Sequence, residues 1–255
     1  MRVLFQHLRD SKNIGDAVCS PFDYFDWGDA QAKDLRTPSP DYDVGVYGGG
    51  KIFGGLASGP GVNHAPGVTH IAWGVGTRQT LPWSLKYYRS RKMCTLVGSR
   101  DWGDKRYDFA PCPTCMSPLF DSPPAPKHKV VFYCHGGKTT QQNIEIPDGI
   151  PQLSNNCTSL EEALSFIASG ETVVSNSYHG VYWALLMGRK TICIPFSKKF
   201  YGYRLTPHFA TPANWQTEID NGKSYPEMLE LMRSATLAFK TKVDVEIDRK
   251  RAQAL

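Results

Sequence analysis

Short apolar runs that end in glycine and polar residues recur along the whole chain. They predict strands at 3–7, 43–47, 70–73 and 93–97, and again at 129–134, 172–174 and 191–194. Runs that are this short and apolar throughout are typical of strands buried on both faces of a parallel sheet. Parallel strands need crossover connections, usually helices, so the pattern predicts an α/β protein.

The clearest strand–helix–strand unit lies between residues 171 and 195. After the apolar run at 172–174 come small polar residues, then a predicted amphipathic helix at 179–187 and a strand at 191–194. Ligands of open parallel sheets bind outside the carboxyl ends of the strands, where helix N-termini also offer free N–H groups. His179 lies in this position. A capping and packing role is the alternative for this histidine.

A proline-rich stretch divides the chain into two halves. Residues 110–127 contain six prolines, and proline at this density is incompatible with a helix or a central strand. We therefore predict a linker here and two Rossmann-like domains, at 1–122 and 123–255, the second ending in C-terminal helices. Two such halves imply parallel sheets that face each other across a cleft.

Composition and charge narrow the classes of partner. Hydrophobic residues make up 41% of the chain and charged residues 21%, as in ordinary soluble proteins. The net charge of +5 suits anionic substrates or an anionic membrane surface, but no Lys/Arg run is dense enough to indicate nucleic acid.

No apolar run reaches the roughly 18 residues of a transmembrane helix, and the N-terminus turns polar too soon for a signal peptide. We expect the protein to be cytoplasmic, and we count the inner face of the membrane as part of this location.

Polar residues and glycines follow other predicted strands in the same way. They are Asn13, Gly15 and Asp16 after the first strand, Gly49 and Gly50 after the second, Arg100 after the fourth, and Lys198 and Lys199 after the last. The glycines lack the spacing of a phosphate-binding loop and instead permit a close backbone approach. An arginine suits bidentate capture of a carboxylate or phosphate. Plain turns, surface ion pairs and solvated charge are the structural alternatives.

A metal site is not expected. Cys112 and Cys115 have the spacing of half a zinc knuckle, but no second pair and no nearby pair of histidines completes four ligands. Two thiols in a proline-rich turn are the simpler interpretation.

Several of these segments together resemble the polysaccharide pyruvyl transferase family. The matching segments are Asn13 to Asp16, Gly48 to Gly50, Gly74 to Gly76, Ser99 to Asp101, Ser175 to Gly180, Ala184 to Gly188, and Lys198 to Phe200. The resemblance implies a GT-B-like pair of Rossmann-type domains with the active site between them. It also implies transfer of the enolpyruvyl carbons of phosphoenolpyruvate onto two hydroxyls of a sugar, with release of phosphate and without a metal or other cofactor.

The resemblance also implies roles for individual residues. His179 is expected to act as the general acid and Arg100 to assist catalysis. The remaining expected substrate-binding residues are Asn13, Gly15, Asp16, Gly49, Gly50, Ser175, Asn176, Ser177, Tyr178, Lys198 and Lys199. The chemistry fits, because the methylene carbon of the donor needs a proton and the donor carries two anionic groups. The expected partners are phosphoenolpyruvate and a saccharide or lipid-linked saccharide, with no nucleic acid.

One departure from the family pattern keeps two other functions open. Many members carry arginine two residues before the motif histidine, where this chain has Ser177. Arg100, Lys198 or Lys199 and helix N–H groups would then have to bind the donor, or the donor is different. A GT-B glycosyltransferase that uses a nucleotide sugar is the alternative enzyme, and a degenerate sugar-binding protein is the non-enzymatic alternative.

Overall fold

The computed structural model describes residues 1–77 and 85–253 and has an α/β fold with two parallel sheets. This confirms the predicted α/β class and its parallel sheets. The chain divides into two compact units. The first unit comprises Met1–Ser11, Asp16–Met116 and Arg233–Leu255, and the second comprises Lys12–Gly15 and Ser117–Met232. The predicted domain boundary between residues 122 and 123 stays a prediction.

The first unit contains the six-stranded sheet. Its strands are β1 (Val3–His7), β2 (Gln31–Asp34), β3 (Val44–Gly48), β4 (Thr69–Val75), β5 (Leu96–Ser99) and β6 (Asp108–Phe109). The spatial order is β2-β1-β3-β4-β5-β6, and every described pairing is parallel. The order reverses between β1 and β3. This reversal is the topological switch point, where open α/β sheets bind ligands beyond the carboxyl ends of the strands.

Both faces of the first sheet are buried, as the unbroken apolar runs predicted. Ile71 and Trp73 of β4 point into one core with Phe239 and Val243, whereas Ala72 between them belongs to the core on the other face. This alternation is the period of two expected for a strand. The core of the first unit therefore lies on both sides of the sheet and fixes its strands.

The second unit contains the five-stranded sheet. Its strands are β7 (His128–Cys134), β8 (Gln152–Ser154), β9 (Gly170–Ser175), β10 (Lys190–Cys193) and β11 (His208–Phe209). Their order, β8-β7-β9-β10-β11, repeats the topology of the first five strands of the other sheet. The switch point of this sheet lies between β7 and β9. The predicted strand at 172–174 is the centre of β9.

The helices differ in length and burial. They are α1 (Ile14–Ala17), α2 (Leu85–Met93), α3 (Lys138–Gln141), α4 (Leu160–Ala168), α5 (Tyr178–Leu186) and α6 (Met228–Ala252). Short 3₁₀ turns lie at Pro21–Asp23, Phe53–Ser58, Pro113–Met116, Pro118–Phe120, Lys198–Gly202 and Ile219–Asn221. None of the helices in the described ranges combines the length and the apolar character that a membrane span requires.

The structure corrects two of the predicted elements and confirms one prediction. The helix predicted as amphipathic at 179–187 is α5, and all nine of its residues are buried because its sequence is apolar on every side. The strand predicted at 93–97 begins only at Leu96, since α2 continues through Met93. Within 110–127 the structure has only 3₁₀ turns and irregular backbone, which confirms the absence of a helix or central strand there.

Candidate active site

Asn176 organises the switch point of the second sheet. It follows β9 and is fully buried. Its side-chain oxygen accepts hydrogen bonds from the backbone N–H of His135 at 2.8 Å and from the hydroxyl of Thr139 at 3.2 Å, and its amide nitrogen donates to Gln142 at 2.9 Å. Asn176 therefore holds the loop after β7 beside the loop after β9. Its expected role in substrate binding stays a prediction.

Two serines shape the start of α5. The hydroxyl of Ser175 donates to the carbonyl of Tyr133 at 2.7 Å and accepts from the backbone N–H of Ser177 at 3.0 Å. Ser177 is the N-cap of α5, and its hydroxyl accepts from the N–H of Gly180 at 3.5 Å. Small polar residues are favoured at this position because they satisfy an N–H group that has no partner within the helix. The polar cluster after β9 thus has a structural function in this fold.

The imidazole of His179 is enclosed by neighbours from two segments. Its ring lies 5.5 Å from the indole of Trp183, one helical turn later, and 5.6 Å from the ring of Tyr178. A β-carbon on Gly15 would overlap the imidazole, so the backbone of Gly15 covers it directly. His179 is 4% exposed. Tyr178 is held in turn by stacking on Tyr203 at 4.8 Å.

Asn155 fixes the segment that carries Asn13 and Gly15. Its carbonyl accepts from the N–H of Ile14 at 2.8 Å, and its side-chain oxygen accepts from the N–H of Gly136 at 2.7 Å. The side chain of Asn13 accepts from the N–H of Gly15 at 3.2 Å and forms a local turn. This network links the loop after β7 to the segment that packs on His179. Nothing in the sequence marked Asn155, because it follows the short strand β8, which has no clear apolar pattern.

Two ammonium groups converge on Phe196 at the same edge of the sheet. The Nζ of Lys199 lies 4.6 Å from the centroid of the Phe196 ring, and that of Lys138 lies 5.8 Å from it. His135 packs edge-on against the same ring at 5.3 Å. Lys198, by contrast, is exposed. Lys138 and His135 were not among the predicted site residues, although the polar sequence directly after a buried strand is a signal that identifies them.

Glycines line the switch point of the first sheet. Gly49 and Gly50 follow β3 with positive φ angles of 57° and 69°, which glycine adopts without strain. A β-carbon on Gly49 would overlap Cys19, and one on Gly50 would lie 3.3 Å from the carboxylate of Asp16. Cys19 donates to the carbonyl of Asp16 at 3.0 Å. The structure therefore brings together Asp16, Gly49 and Gly50, and their expected role in substrate binding stays a prediction.

Arg100 lies at the carboxyl end of β5 in the same unit. It is 4% exposed, and its backbone N–H donates to the carbonyl of Val75 at 3.0 Å. A β-carbon on Gly76 would lie 3.4 Å from its Nε, so the glycine leaves room for the guanidinium. The next residue, Asp101, accepts from the N–H of Thr77 at 2.7 Å. The neighbouring strand ends therefore hold Arg100 in place.

The buried thiols near Arg100 are not poised for nucleophilic chemistry. Burial raises the pKa of Cys19 and of Cys112, although the charge of Arg100 acts in the opposite direction on both. Thiols with raised pKa values stay protonated at neutral pH and are poor nucleophiles and metal ligands. Within residues 1–77 and 85–253, no group of three or more His, Cys, Asp or Glu side chains is arranged to hold a metal ion.

The predicted site residues fall into two sets. Gly15, Ser175, Asn176, Ser177, Tyr178, His179 and Lys199 lie at the switch point of the second sheet, with Asn13 on the segment that covers it. Asp16, Gly49, Gly50 and Arg100 lie at the carboxyl edge of the first sheet. The first set provides an enclosed imidazole and ammonium groups on adjacent loops. Such a set can supply a proton and bind an anion.

Comparison with known proteins identifies the family of this chain. A family model described as polysaccharide pyruvyl transferase matches residues 9–197, which span both switch points. No curated protein and no solved structure gives a significant match. The matched segment covers well over half of the chain and includes every predicted site residue except Lys198 and Lys199. The chain belongs to the polysaccharide pyruvyl transferase family and is a transferase.

Proposed function

We propose that this transferase moves a pyruvyl group from phosphoenolpyruvate onto two hydroxyls of a saccharide and forms a pyruvate ketal. The observation that carries the proposal is the position of His179. It lies in the first turn of α5, directly after the central strand β9, and the segments that follow the two neighbouring strands carry Lys138 and Lys199. The family supports pyruvyl transfer to a polysaccharide, and the donor and the ketal product are our inference from this chemistry.

The reaction requires a proton at one specific carbon. In forming the ketal, the methylene carbon of the enolpyruvyl group gains a proton, two oxygens of the acceptor bond to the adjacent carbon, and phosphate leaves. The two acceptor hydroxyls release two protons, which balance the proton added to carbon and the one taken up by the phosphate. We assign the delivery of the proton to His179, because imidazole is the usual acid near neutral pH. The contacts with Gly15 and Trp183 would fix the orientation of the ring.

The donor carries a carboxylate and a phosphate that need preorganised cations. We assign one of these groups to Lys199 and Lys138, whose ammonium groups converge on Phe196. Lys199 is the better candidate of the predicted lysine pair, since Lys198 is exposed and contacts no aromatic ring among the described residues. Many members of the family carry arginine at the position of Ser177. In this chain Lys138 and Lys199 would supply the positive charge that the arginine supplies there.

Arg100 is proposed to bind an anionic group of the donor with two parallel hydrogen bonds. Its burial supports the assignment, because charged groups act most strongly where water is excluded. Asp16 and the backbone of Gly49 and Gly50 are proposed to bind substrate hydroxyls, since glycines permit close approach. The acceptor is proposed to be a saccharide or a lipid-linked saccharide precursor of a polysaccharide.

The nucleotide-sugar alternative is not favoured, because the family supports pyruvyl transfer.

A donor screen tests the proposal directly. Phosphoenolpyruvate, with a panel of saccharide acceptors, should release phosphate only when an acceptor is present, and nucleotide sugars should release no nucleotide. The same panel in a thermal-shift assay should show stabilisation by phosphoenolpyruvate. Nucleotide release without phosphate release would establish the alternative.

A further inference from the structure

Helix α2, Leu85–Met93, concentrates the positive charge of the chain. Its nine residues include Lys86, Arg89, Arg91 and Lys92 and no acidic residue, whereas the net charge of the whole chain is only +5. All four cations are exposed. None of them has a carboxylate within ion-pair distance in the part of the chain that the structure describes, whereas many exposed cations elsewhere do.

The outward face of α2 combines two of these cations with exposed apolar side chains, and Lys86 and Arg91 lie on its two flanks. Leu85, Tyr88, Arg89 and Lys92 follow the i, i+3, i+4, i+7 spacing of a single helix face. Leu85 is 61% exposed and Tyr88 is 55% exposed. The ammonium of Lys92 lies 5.1 Å from the centroid of the Tyr88 ring. The opposite face carries the two buried residues of the helix, Tyr87 and Ser90.

We propose that this outward face of α2 docks the protein on an anionic lipid surface. Charge complementarity selects an anionic partner, because the face has cations and no acid. The exposed aliphatic Leu85 favours a bilayer over a nucleic acid, since a lipid interface accommodates both Leu85 and Tyr88 among the headgroups, whereas bases stack on an aromatic ring and not on a leucine. Binding at the interface would concentrate the enzyme where lipid-linked saccharides are found. The inference from α2 itself does not rest on the identity of the donor.

The experiment is co-sedimentation of the full chain, without substrates, with two kinds of vesicle. One kind is phosphatidylcholine alone, and the other is phosphatidylcholine mixed with anionic phosphatidylglycerol. The protein should bind the anionic vesicles, and binding should weaken as salt is added. The variant K86Q/R89Q/R91Q/K92Q should lose affinity by at least about tenfold, because each cation near such a surface contributes roughly fivefold.

A matched variant separates the effect of helix α2 on binding from the effect of the overall charge. K190Q/K242Q/R249Q/R251Q also removes four exposed cations, each of which is paired with a carboxylate, and should bind the anionic vesicles far better than the α2 variant. The variant L85S/Y88S should weaken binding and leave its dependence on salt in place. Equal binding by the α2 variant and the matched variant would overturn the proposal, and so would tighter binding of wild type to an oligonucleotide than to anionic vesicles. Thermal unfolding of each variant checks its fold.

Discussion

The backbone of Gly15 packs directly against the imidazole of His179 and leaves no room for a β-carbon. The two residues are far apart in sequence, and both belong to the second unit. The hydrogen bond from the N–H of Ile14 to the carbonyl of Asn155 holds the glycine in this position. The contact gives the glycine of the Asn13–Asp16 segment a physical role, which is to cover and orient the proposed catalytic ring.

The first prediction tests that contact. Gly15→Ala should push the imidazole of His179 out of place and lower kcat. The free energy of unfolding should change little, because the clash is with a side chain that can rotate. No positive φ adds backbone strain at this position. Gly55→Ala is the control, since its β-carbon would meet no atom within 4 Å. Acceptor-dependent release of phosphate from phosphoenolpyruvate gives kcat, and chemical unfolding gives stability. Equal kcat values in the two variants would show that Gly15 does not orient the ring.

The second prediction concerns the ammonium groups beside Phe196. Lys199→Gln and Lys138→Gln should each raise the KM for phosphoenolpyruvate by roughly 10- to 150-fold, since a hydrogen bond to a charged group contributes about 1.5–3 kcal/mol. Lys198→Gln should change the KM less than Lys199→Gln. The control is Lys190→Gln, which removes an exposed cation paired with Glu171. A KM that shifts equally in Lys190→Gln and Lys199→Gln would remove Lys199 from the donor site.

The sequence predicted the second switch point better than the surface around it. β9, α5 and β10 were recognisable because each is an apolar run with a clear stop, including Gly188 with its φ of 63°. Helix α2 was missed because four of its nine residues are cationic and only two are buried, so the sequence shows no clear apolar period. Strands β2, β6, β8 and β11 were also missed.

Contacts between residues distant in sequence account for the features of the candidate site that the sequence did not predict. The role of Asn155 depends on hydrogen bonds to Ile14 and Gly136, which no local pattern encodes. The convergence of Lys138 and Lys199 on Phe196 depends on β7 and β10 lying on either side of β9. Sequence alone placed Lys199 after a predicted strand, and the strand order decided that it meets Lys138 at Phe196.

The third prediction concerns Arg100. Arg100→Lys should weaken donor binding although the charge is kept, because a lysine cannot form two parallel hydrogen bonds to one anionic group. Arg36→Lys is the control, as this exposed arginine follows β2, pairs with Asp34 and is not assigned to the donor site. Calorimetric titration with phosphoenolpyruvate measures both. Unchanged affinity in Arg100→Lys would place its guanidinium outside the donor site.

The fourth prediction is a dependence of stability on pH. Burial, with a smaller effect of His64, lowers the pKa of His70 from its ordinary value of 6.5 to about 4. Between these pH values the unfolded chain binds a proton that the folded chain does not, so stability falls as the pH falls through this range. The loss attributable to His70 is at most about 3 kcal/mol.

The variant His70→Gln measures that loss. It removes the titrating group beside Tyr47, whose hydroxyl is 2.7 Å from Nδ1. Urea unfolding between pH 7 and pH 4 should show a shallower loss of stability in this variant than in wild type. The buried His7 also has a lowered pKa and acts in the same direction, but it contributes equally to both proteins. Parallel pH profiles would contradict the assignment to His70.

His179 is proposed to deliver the proton in pyruvyl transfer from phosphoenolpyruvate. The most direct measurement is the rate of acceptor-dependent phosphate release by His179→Gln at saturating donor, alongside its calorimetric affinity for phosphoenolpyruvate. Glutamine keeps much of the volume between Gly15 and Trp183, so the fold should persist. We expect nearly unchanged donor affinity and a rate lower by about 10²–10⁴-fold, the usual contribution of an acid–base group. A rate close to that of wild type would contradict this role.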